Sequence, residues 1–326
     1  MAGMIIDKDR EAMMKLKPEP ITEELSETSK ALVRRLKHLP GRHPQKSHGR
    51  GSGSGNGSGS SAEFAQPTIR DAVGVEGEAL TYEDHAKMAK DIFNALPPET
   101  QARITETEAR IKAGTATIDK YRDKDGNWDP EREKLHDQIV ADVIGDTTSV
   151  DKPQVLITGG LPGSGKSSVL KERGEDLSNR VHIDSDAIKA KLPEYEGWNA
   201  ALLHEEASHI VGRVLVQSVS QKKNVIYDAT LKTQKSARNI VDKFESVGYD
   251  SKVVFVDVPM ESAMNRAVSR FMGPTNRYVP LDYLATHDTK NLATLGALKS
   301  DVDNWEHWDN SQPYGQPPTL VAQGGI

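Results

Sequence analysis

The run from Gln154 to Leu170, QVLITGGLPGSGKSSVL, constrains this chain more than any other stretch. Val155, Leu156, Ile157 and Thr158 are apolar or β-branched and read as a buried strand. The strand breaks into a turn that satisfies GxxxxGK followed by Ser or Thr, from Gly160 to Ser167. Glycines in such a turn let successive backbone N–H groups converge on phosphate oxygens, and a helix beginning near Lys166 adds the positive end of its dipole. Gly160, Leu161, Pro162, Gly163, Ser164, Gly165, Lys166, Ser167 and Ser168 therefore form the candidate cradle. Within it, Lys166 reaches for β- and γ-phosphates and the Ser167 hydroxyl for Mg²⁺. A Gly/Ser turn alone is only a turn; a strand before it and a helix after it make this one a phosphate loop.

The whole chain narrows what can surround that loop. Its 326 residues suggest about two domains. A net charge of −6 gives no global basic field, which argues against nucleic acid as a partner. The absence of cysteine excludes disulfides, thiol catalysis and cysteine-ligated zinc, and suits a reducing compartment. No apolar run is long enough to span a bilayer, and the start MAGMIIDKDREAMMK lacks the apolar core of a signal peptide. The expectation is a soluble, cytoplasmic protein with no membrane partner.

Taken in order, residues 1–50 read as a largely disordered arm in which only Thr22 to Lys37 looks helical, with Leu25, Leu32 and Leu36 at helical spacing. The arm ends in HLPGRHPQKSHGR, where His38, His43 and His48 stand among Lys37, Arg42, Lys46 and Arg50. Without nearby carboxylates this is a basic tail rather than a metal site. It resembles short histidine-containing segments of phage head and portal-associated proteins. Residues 51–61, GSGSGNGSGSS, form a flexible linker.

Residues 62–150 read as a helical accessory region. Thr81 and Asp84 make a capping box, and Pro97-Pro98 separates a helix ending near Ala95 from one running toward Lys112. Asp123, Asp125 and Asn127 hint at a calcium loop, but Trp128 stands where that loop needs glycine and Lys134 where it needs glutamate. Asp125-Gly126 is therefore read as a tight turn. Asp129 caps a helix that begins at Pro130, carries the stripe Leu135, Ile139 and Val143, and stops at Gly145. That stripe is expected to pack on the flank of the domain that follows, residues 151–326.

Beyond the loop, Val181-His182-Ile183 is a short strand that delivers Asp184 and Asp186 at its carboxyl end, where open α/β sheets bind ligands. A carboxylate within reach of an acceptor hydroxyl serves as base or positioning group in phosphoryl transfer. The plainer alternative is a pair of solvated aspartates capping the next helix. A third strand, Asn224 to Tyr227, ends in Asp228-Ala229-Thr230, and a fourth, Lys252 to Val256, ends in Asp257; either aspartate passes for a Walker B carboxylate. Met260 to Phe271 is helical and sets Arg266 and Arg270 four residues apart, with Arg277 beyond a Gly273-Pro274 break. Guanidinium groups on such a lid complement the charge on a transferring phosphate, although arginines on a helix are often only a solvated face. The fold class expected is α/β, a P-loop kinase with a doubly wound, mostly parallel sheet.

Together GGLPGSGKSS, IDSD, IYDAT and VPMESAMNRAVSRFMGPTNRYVP resemble the zeta-toxin family of P-loop kinases over roughly residues 150–312. The resemblance implies ATP-dependent phosphorylation of UDP-N-acetylglucosamine at a sugar hydroxyl, starving peptidoglycan synthesis. By position, Lys166 and Ser167 would serve ATP and Mg²⁺, Asp186 would be the catalytic base, and Arg270 and Arg277 the lid arginines. Asp228 and Thr230 fall on the family's Glu and Thr that line the sugar-nucleotide pocket, and Asp184 joins them as a substrate-side candidate. A further family carboxylate falls on Gly212, leaving Glu205, two turns earlier, to substitute. The resemblance also brings an antitoxin partner into view, and the helices before residue 150 could shield the nucleotide site in cis. Two other readings stay open: a polynucleotide 5′-hydroxyl kinase, and a phage structural or head-associated protein with a vestigial P-loop domain.

Overall fold

The computed structural model describes residues 80–287, 290–300, 302, 304–312 and 316–325. The readings of the N-terminal arm, its histidines, the Thr22 to Lys37 helix and the Gly/Ser linker lie outside the described residues.

Runs of β-branched and apolar residues flanked on both sides by helices favour parallel strands buried on both faces. Six strands form one sheet in the order β2-β3-β1-β4-β5-β6. They are β1 (Gln154–Gly159), β2 (Val181–Ile183), β3 (Val225–Asp228), β4 (Asp250–Asp257), β5 (Trp305–Asp309) and β6 (Thr319–Gly324). The first five run parallel and β6 is antiparallel on the edge. β1 lies between β3 and β4, so the phosphate loop leaves the middle of the sheet, and the register Thr158 to Asp228 sets that aspartate beside it. The architecture is the mixed α/β, mostly parallel sheet expected from the sequence.

Four strands stand where the apolar runs place them; β5 and β6 do not announce themselves. β5 alternates tryptophan with Glu306 and His307, and Glu306 is buried only because Lys252 and Arg173 pair with it at 2.7 and 3.3 Å. β6 is largely exposed on its edge. Neither carries the continuous apolar run of a central parallel strand.

The helices before the sheet follow their caps. α1 (Tyr82–Ala95) starts with the Thr81–Asp84 capping box in place, and α2 (Pro98–Ala113) follows the proline pair. After the short α3 (Thr117–Tyr121), the Asp123 carboxylate accepts from the N–H groups of Asp125 and Asn127 at 2.9 and 2.8 Å, closing the tight turn. Asp129 then caps α4 (Pro130–Ile144) by accepting from Glu131 N and Arg132 N.

The apolar stripe of α4 does pack on the sheet's flank. Ile139, Val140 and Ile144 share one core cluster with Val155, Ile157 and Val225 of the sheet and with Ile210 of α7 (His204–Ser220). α1 meets the molecule elsewhere: Ala89, Met88 and Ile92 cluster with Leu161 of the phosphate loop, Met264 of α9 (Met260–Met272) and Leu284 of α10 (Leu281–Ala285). Ile104 of α2 packs with Phe271 and Tyr278. Four further α-helices are α5 (Lys166–Glu172), α6 (Ser185–Lys189) and α8 (Gln234–Ser246) before β4, and α11 (Lys290–Lys299) ahead of β5. Among the described residues no helix is long and apolar enough to cross a membrane.

Candidate active site

The loop that joins β1 to α5 is built around glycine. Gly165, with φ of +86°, occupies the N-cap of α5, and a Cβ there would lie 2.1 Å from Asn310 Nδ2. At Gly160, with φ of +133°, a Cβ would lie 2.3 Å from the Val256 carbonyl. Both positions exclude a side chain by space as well as by backbone conformation. Two residues outside the motif hold the loop's shape. Asn310 Nδ2 donates to the Ser164 carbonyl at 2.7 Å, and Arg266 donates to the carbonyls of Gly163 at 3.3 Å and Asn310 at 2.8 Å. Ser164 is fully buried, Leu161 is buried against α1 and α9, Pro162 is half-buried, and Ser167 and Ser168 are exposed in the first turn of α5.

Lys166 spans the loop mouth. Its ammonium lies 3.4 Å from the Gly160 carbonyl and 3.6 Å from Asp228 Oδ1, while Thr158 Oγ1 donates to that same carboxylate oxygen at 2.7 Å. Of the two Walker B candidates, Asp228 is thus the one in contact with the loop lysine. Asp257, one strand over from β1 on the other side, is pushed up to about 6 by burial, with the Asp309 charge adding to the rise. Thr230 sits just beyond Asp228 and its carbonyl accepts from Gly160 N at 3.2 Å.

Asp184 and Asp186 part company despite their spacing. The Asp184 side chain caps α6 by accepting from Asp186 N at 2.8 Å, and burial together with the charges of Asp228 and Asp186 raises its pKa. Donor atoms of His182, Asp184 and Asp228 all lie within 4.8 Å of one another. Asp186 turns instead to cations: Arg277 Nη1 is 2.5 Å from its Oδ2 and Lys189 Nζ 3.3 Å from its Oδ1. Burial pushes the Asp186 carboxyl up, but the Arg277 and Lys189 charges outweigh it and hold the carboxyl below its ordinary value. Arg270 is exposed on α9 and electrostatically coupled to Arg277 and Asp186. Glu205 is exposed in the first turn of α7, and among the described residues no hydrogen bond or ion pair ties it to the aspartates.

The structure therefore brings together Lys166, Asp228 and Asp184 on one side, Asp186, Arg277 and Arg270 on the other, and leaves Glu205 apart. Sequence reasoning passed over Lys189, whose signal was its place one turn after Asp186 on α6. It also passed over Asn310, which carries no local signal because it follows β5 more than 140 residues after the loop it supports. The lid segment is itself braced: Arg103 Nη2 donates to Asn276 Oδ1 at 2.7 Å and Tyr278 OH to Glu108 Oε1 at 2.5 Å, both from α2.

A parallel sheet with a glycine-rich loop between its central strand and a helix, a lysine at the loop's end and a carboxylate on the neighbouring strand defines a P-loop nucleotide-binding protein. The sequence model of the Zeta toxin family matches residues 139–306, just over half of the chain, and the chain belongs to that family. Among curated proteins, Toxin zeta of Enterococcus hirae is 22% identical over 184 residues, covering 53% of this chain and 62% of the relative. Toxin zeta of Streptococcus pyogenes is 22% identical over 153 residues, covering 44% and 50%. The chain thus spans between half and two thirds of the length of the curated relatives it matches. Among solved structures, the AvrRxo1-ORF1:-ORF2 complex with ATP superposes with a TM-score of 0.53 at 16% identity, over 64% of this chain and 76% of that one. The same complex with sulphate ions gives 0.54 at 15% identity, over 64% and 77%. At such identities these two structures speak for the fold.

Proposed function

We propose that this protein is an ATP-dependent kinase that transfers the γ-phosphate to a hydroxyl of UDP-N-acetylglucosamine. The observation that carries the kinase reading is the arrangement around the loop: Lys166 against Asp228 at the end of β3, and a carboxylate, Asp186, held ionised by Arg277 and Lys189 in the first turn of α6 after β2. The sugar nucleotide is supported by membership of the family rather than by any pocket geometry.

In the proposed step the loop N–H groups and Lys166 hold the β- and γ-phosphates of ATP. The Asp186 carboxylate accepts the proton of the acceptor hydroxyl as its oxygen bonds to the γ-phosphorus and the bond to ADP breaks. Arg277 exchanges its contact with Asp186 for the equatorial oxygens of the transferring phosphoryl group, and Arg270, exposed beside it, approaches the same charge. Mg²⁺ fits the donors present, because the carboxylates of Asp228, 3.6 Å from the loop lysine, and Asp184, clustered with it and His182, are hard oxygen ligands, as is the hydroxyl of Ser167, the residue after that lysine. When bound, it neutralises phosphate charge. The contact of Asp228 with the loop lysine supports a metal role for it over a sugar contact, and Thr230 and Glu205 are the candidates for the acceptor.

A protein partner is proposed on the same footing: the structural neighbour AvrRxo1-ORF1 was crystallised with a second chain, ORF2. α1 packs on the phosphate loop and α2 on the segment around Asn276, and these are the contacts through which the two helices would shield the nucleotide site in cis.

The test is ³¹P NMR of the purified protein with ATP, Mg²⁺ and UDP-N-acetylglucosamine. A new phosphomonoester signal on the sugar nucleotide is expected. Phosphate transfer to a 5′-hydroxyl oligonucleotide and not to the sugar would overturn the acceptor, and ATP consumption without any phosphorylated acceptor would overturn the transfer.

A further inference from the structure

Away from the phosphate loop, α4 and α7 meet across a polar cluster that the proposed chemistry does not use. Glu206 is completely buried and accepts from Arg132 Nε at 2.6 Å and Nη2 at 3.0 Å, and it lies 2.7 Å from His136 Nε2. An ionised carboxylate can only accept, so His136 carries its proton on Nε2. In the neutral ring this leaves a lone pair on Nδ1, and that buried nitrogen finds no hydrogen-bond partner.

The unpartnered nitrogen faces further donors. Glu133 Oε2 lies 3.9 Å from His136 Nδ1, and donor atoms of Glu133, His136 and His209 are all within 4.8 Å of one another. The lone pair of a buried neutral ring facing a half-buried carboxylate oxygen favours a cation between them. A proton on Nδ1 would make an ion pair but no hydrogen bond at 3.9 Å, whereas a metal ion between the two would bond to both. Glu133 keeps its other oxygen on Arg213 Nη1 at 2.9 Å, which leaves Oε2 to act as a ligand.

We propose that Glu133, His136 and His209 form a binding site for a divalent transition metal of the zinc class. Two imidazoles and one carboxylate are a recognised zinc donor set, with a fourth position left for water. A carboxylate behind a ligating histidine, fixing its tautomer and ring orientation, is the usual support of such a site, and Glu206 anchored by Arg132 supplies it. Zinc about 2.1 Å from each donor needs them roughly 3.4 Å apart, so modest rotamer adjustment closes the cluster. The His209–Glu133–His136 arrangement cross-links α4 to α7, joining the helix ahead of the sheet to one of the helices that pack on it.

The site is tested with Co²⁺ as the probe, titrated into the full-length protein with excess Mg²⁺, reading the visible absorption of four- or five-coordinate Co²⁺ and displacement by Zn²⁺. Trp128 provides a second readout, since its ring centroid lies 4.6 Å from that of His136 and 5.1 Å from that of His209. One equivalent of Co²⁺ with a visible band, quenched tryptophan fluorescence and displacement by Zn²⁺ is expected. His209→Ala should weaken binding by about 100-fold and abolish any Zn²⁺-induced rise in Tm. Glu133→Gln, a change at a half-buried position, should do the same if His209→Ala fails to fold. The histidines at 38, 43 and 48 are intact in both variants, so metal bound by them stays in the background. Absence of the Co²⁺ band in the wild-type protein, or an equal band in both variants, would overturn the site.

Discussion

Arg277 and Asp186 form an ion pair with 2.5 Å between Nη1 and Oδ2, joining the lid to the aspartate that follows β2. The pair holds the carboxylate ionised, and in the proposed transfer it also occupies the guanidinium that the phosphate would need. Arg277→Ala should lower kcat for phosphate transfer by roughly 10³-fold while leaving the Kd for ATP within a factor of about three. Arg277→Lys should recover little, because a point charge lacks the two-pronged geometry. Isothermal titration with ATP and single-turnover kinetics separate the two effects.

The same pair predicts a pH signature. Asp186 has its pKa depressed in the folded protein, net of burial, by Arg277 and Lys189, so it stays ionised as pH falls through the ordinary carboxylate range. Removing Arg277 removes part of that depression. The acid limb of residual kcat/KM in Arg277→Ala should therefore move to higher pH than in the wild type, and a pH–rate profile checks the direction.

Asn310 supports the phosphate loop through a hydrogen bond to Ser164 and a contact that only glycine at position 165 permits. Asn310→Ala should weaken ATP binding about tenfold, the order of one lost buried hydrogen bond, without changing the acceptor KM. Gly165→Ala, which meets Asn310 head-on at a left-handed position, should abolish ATP binding. Both are measured by nucleotide titration.

Much of this was legible from residues alone, and the exceptions have physical reasons. The loop, the capping box at Thr81, the Asp129 cap and four of the strands follow from local pattern, because each depends on neighbours within a few positions. β5 was not legible because its buried Glu306 is tolerated only through Lys252 and Arg173, which come from other elements. Asp184 and Asp186 share a strand end in sequence, but α6 begins between them and turns one into a cap and the other into a partner of Arg277. Glu205 and Glu206 show the same limit: the helix phase that exposes the first buries the second, and only the position of Arg132 explains why a buried glutamate is stable there.

Glu206 predicts how acid affects the fold. Burial raises its pKa, and hydrogen bonds from His136 and Arg132 more than reverse this, to about 2 from an ordinary 4.5. A depressed carboxylate contributes stability that is complete above its unfolded value and is lost as pH falls through the folded one, so the window is pH 4.5 down to about 2. The contribution at neutral pH is on the order of 3 kcal/mol. Urea unfolding of Glu206→Gln against wild type should show a deficit of that size at pH 7 that narrows below pH 4.5.

Gly212 lies inside α7 with nothing within 4 Å of where a Cβ would stand. Gly212→Ala should stabilise the protein by about 0.5–1 kcal/mol through reduced unfolded-state entropy, seen as a higher urea midpoint at unchanged m.

The central claim is that Asp186 takes the acceptor's proton while Lys166 holds the phosphates. Its most direct test is single-turnover transfer of labelled γ-phosphate to UDP-N-acetylglucosamine by wild type, Lys166→Ala and Asp186→Asn, with ATP affinity measured in parallel. The account predicts transfer by the wild type, loss of both ATP binding and transfer in Lys166→Ala, and retained ATP binding with transfer lowered at least 100-fold in Asp186→Asn. Transfer at the wild-type rate by folded Asp186→Asn would contradict it.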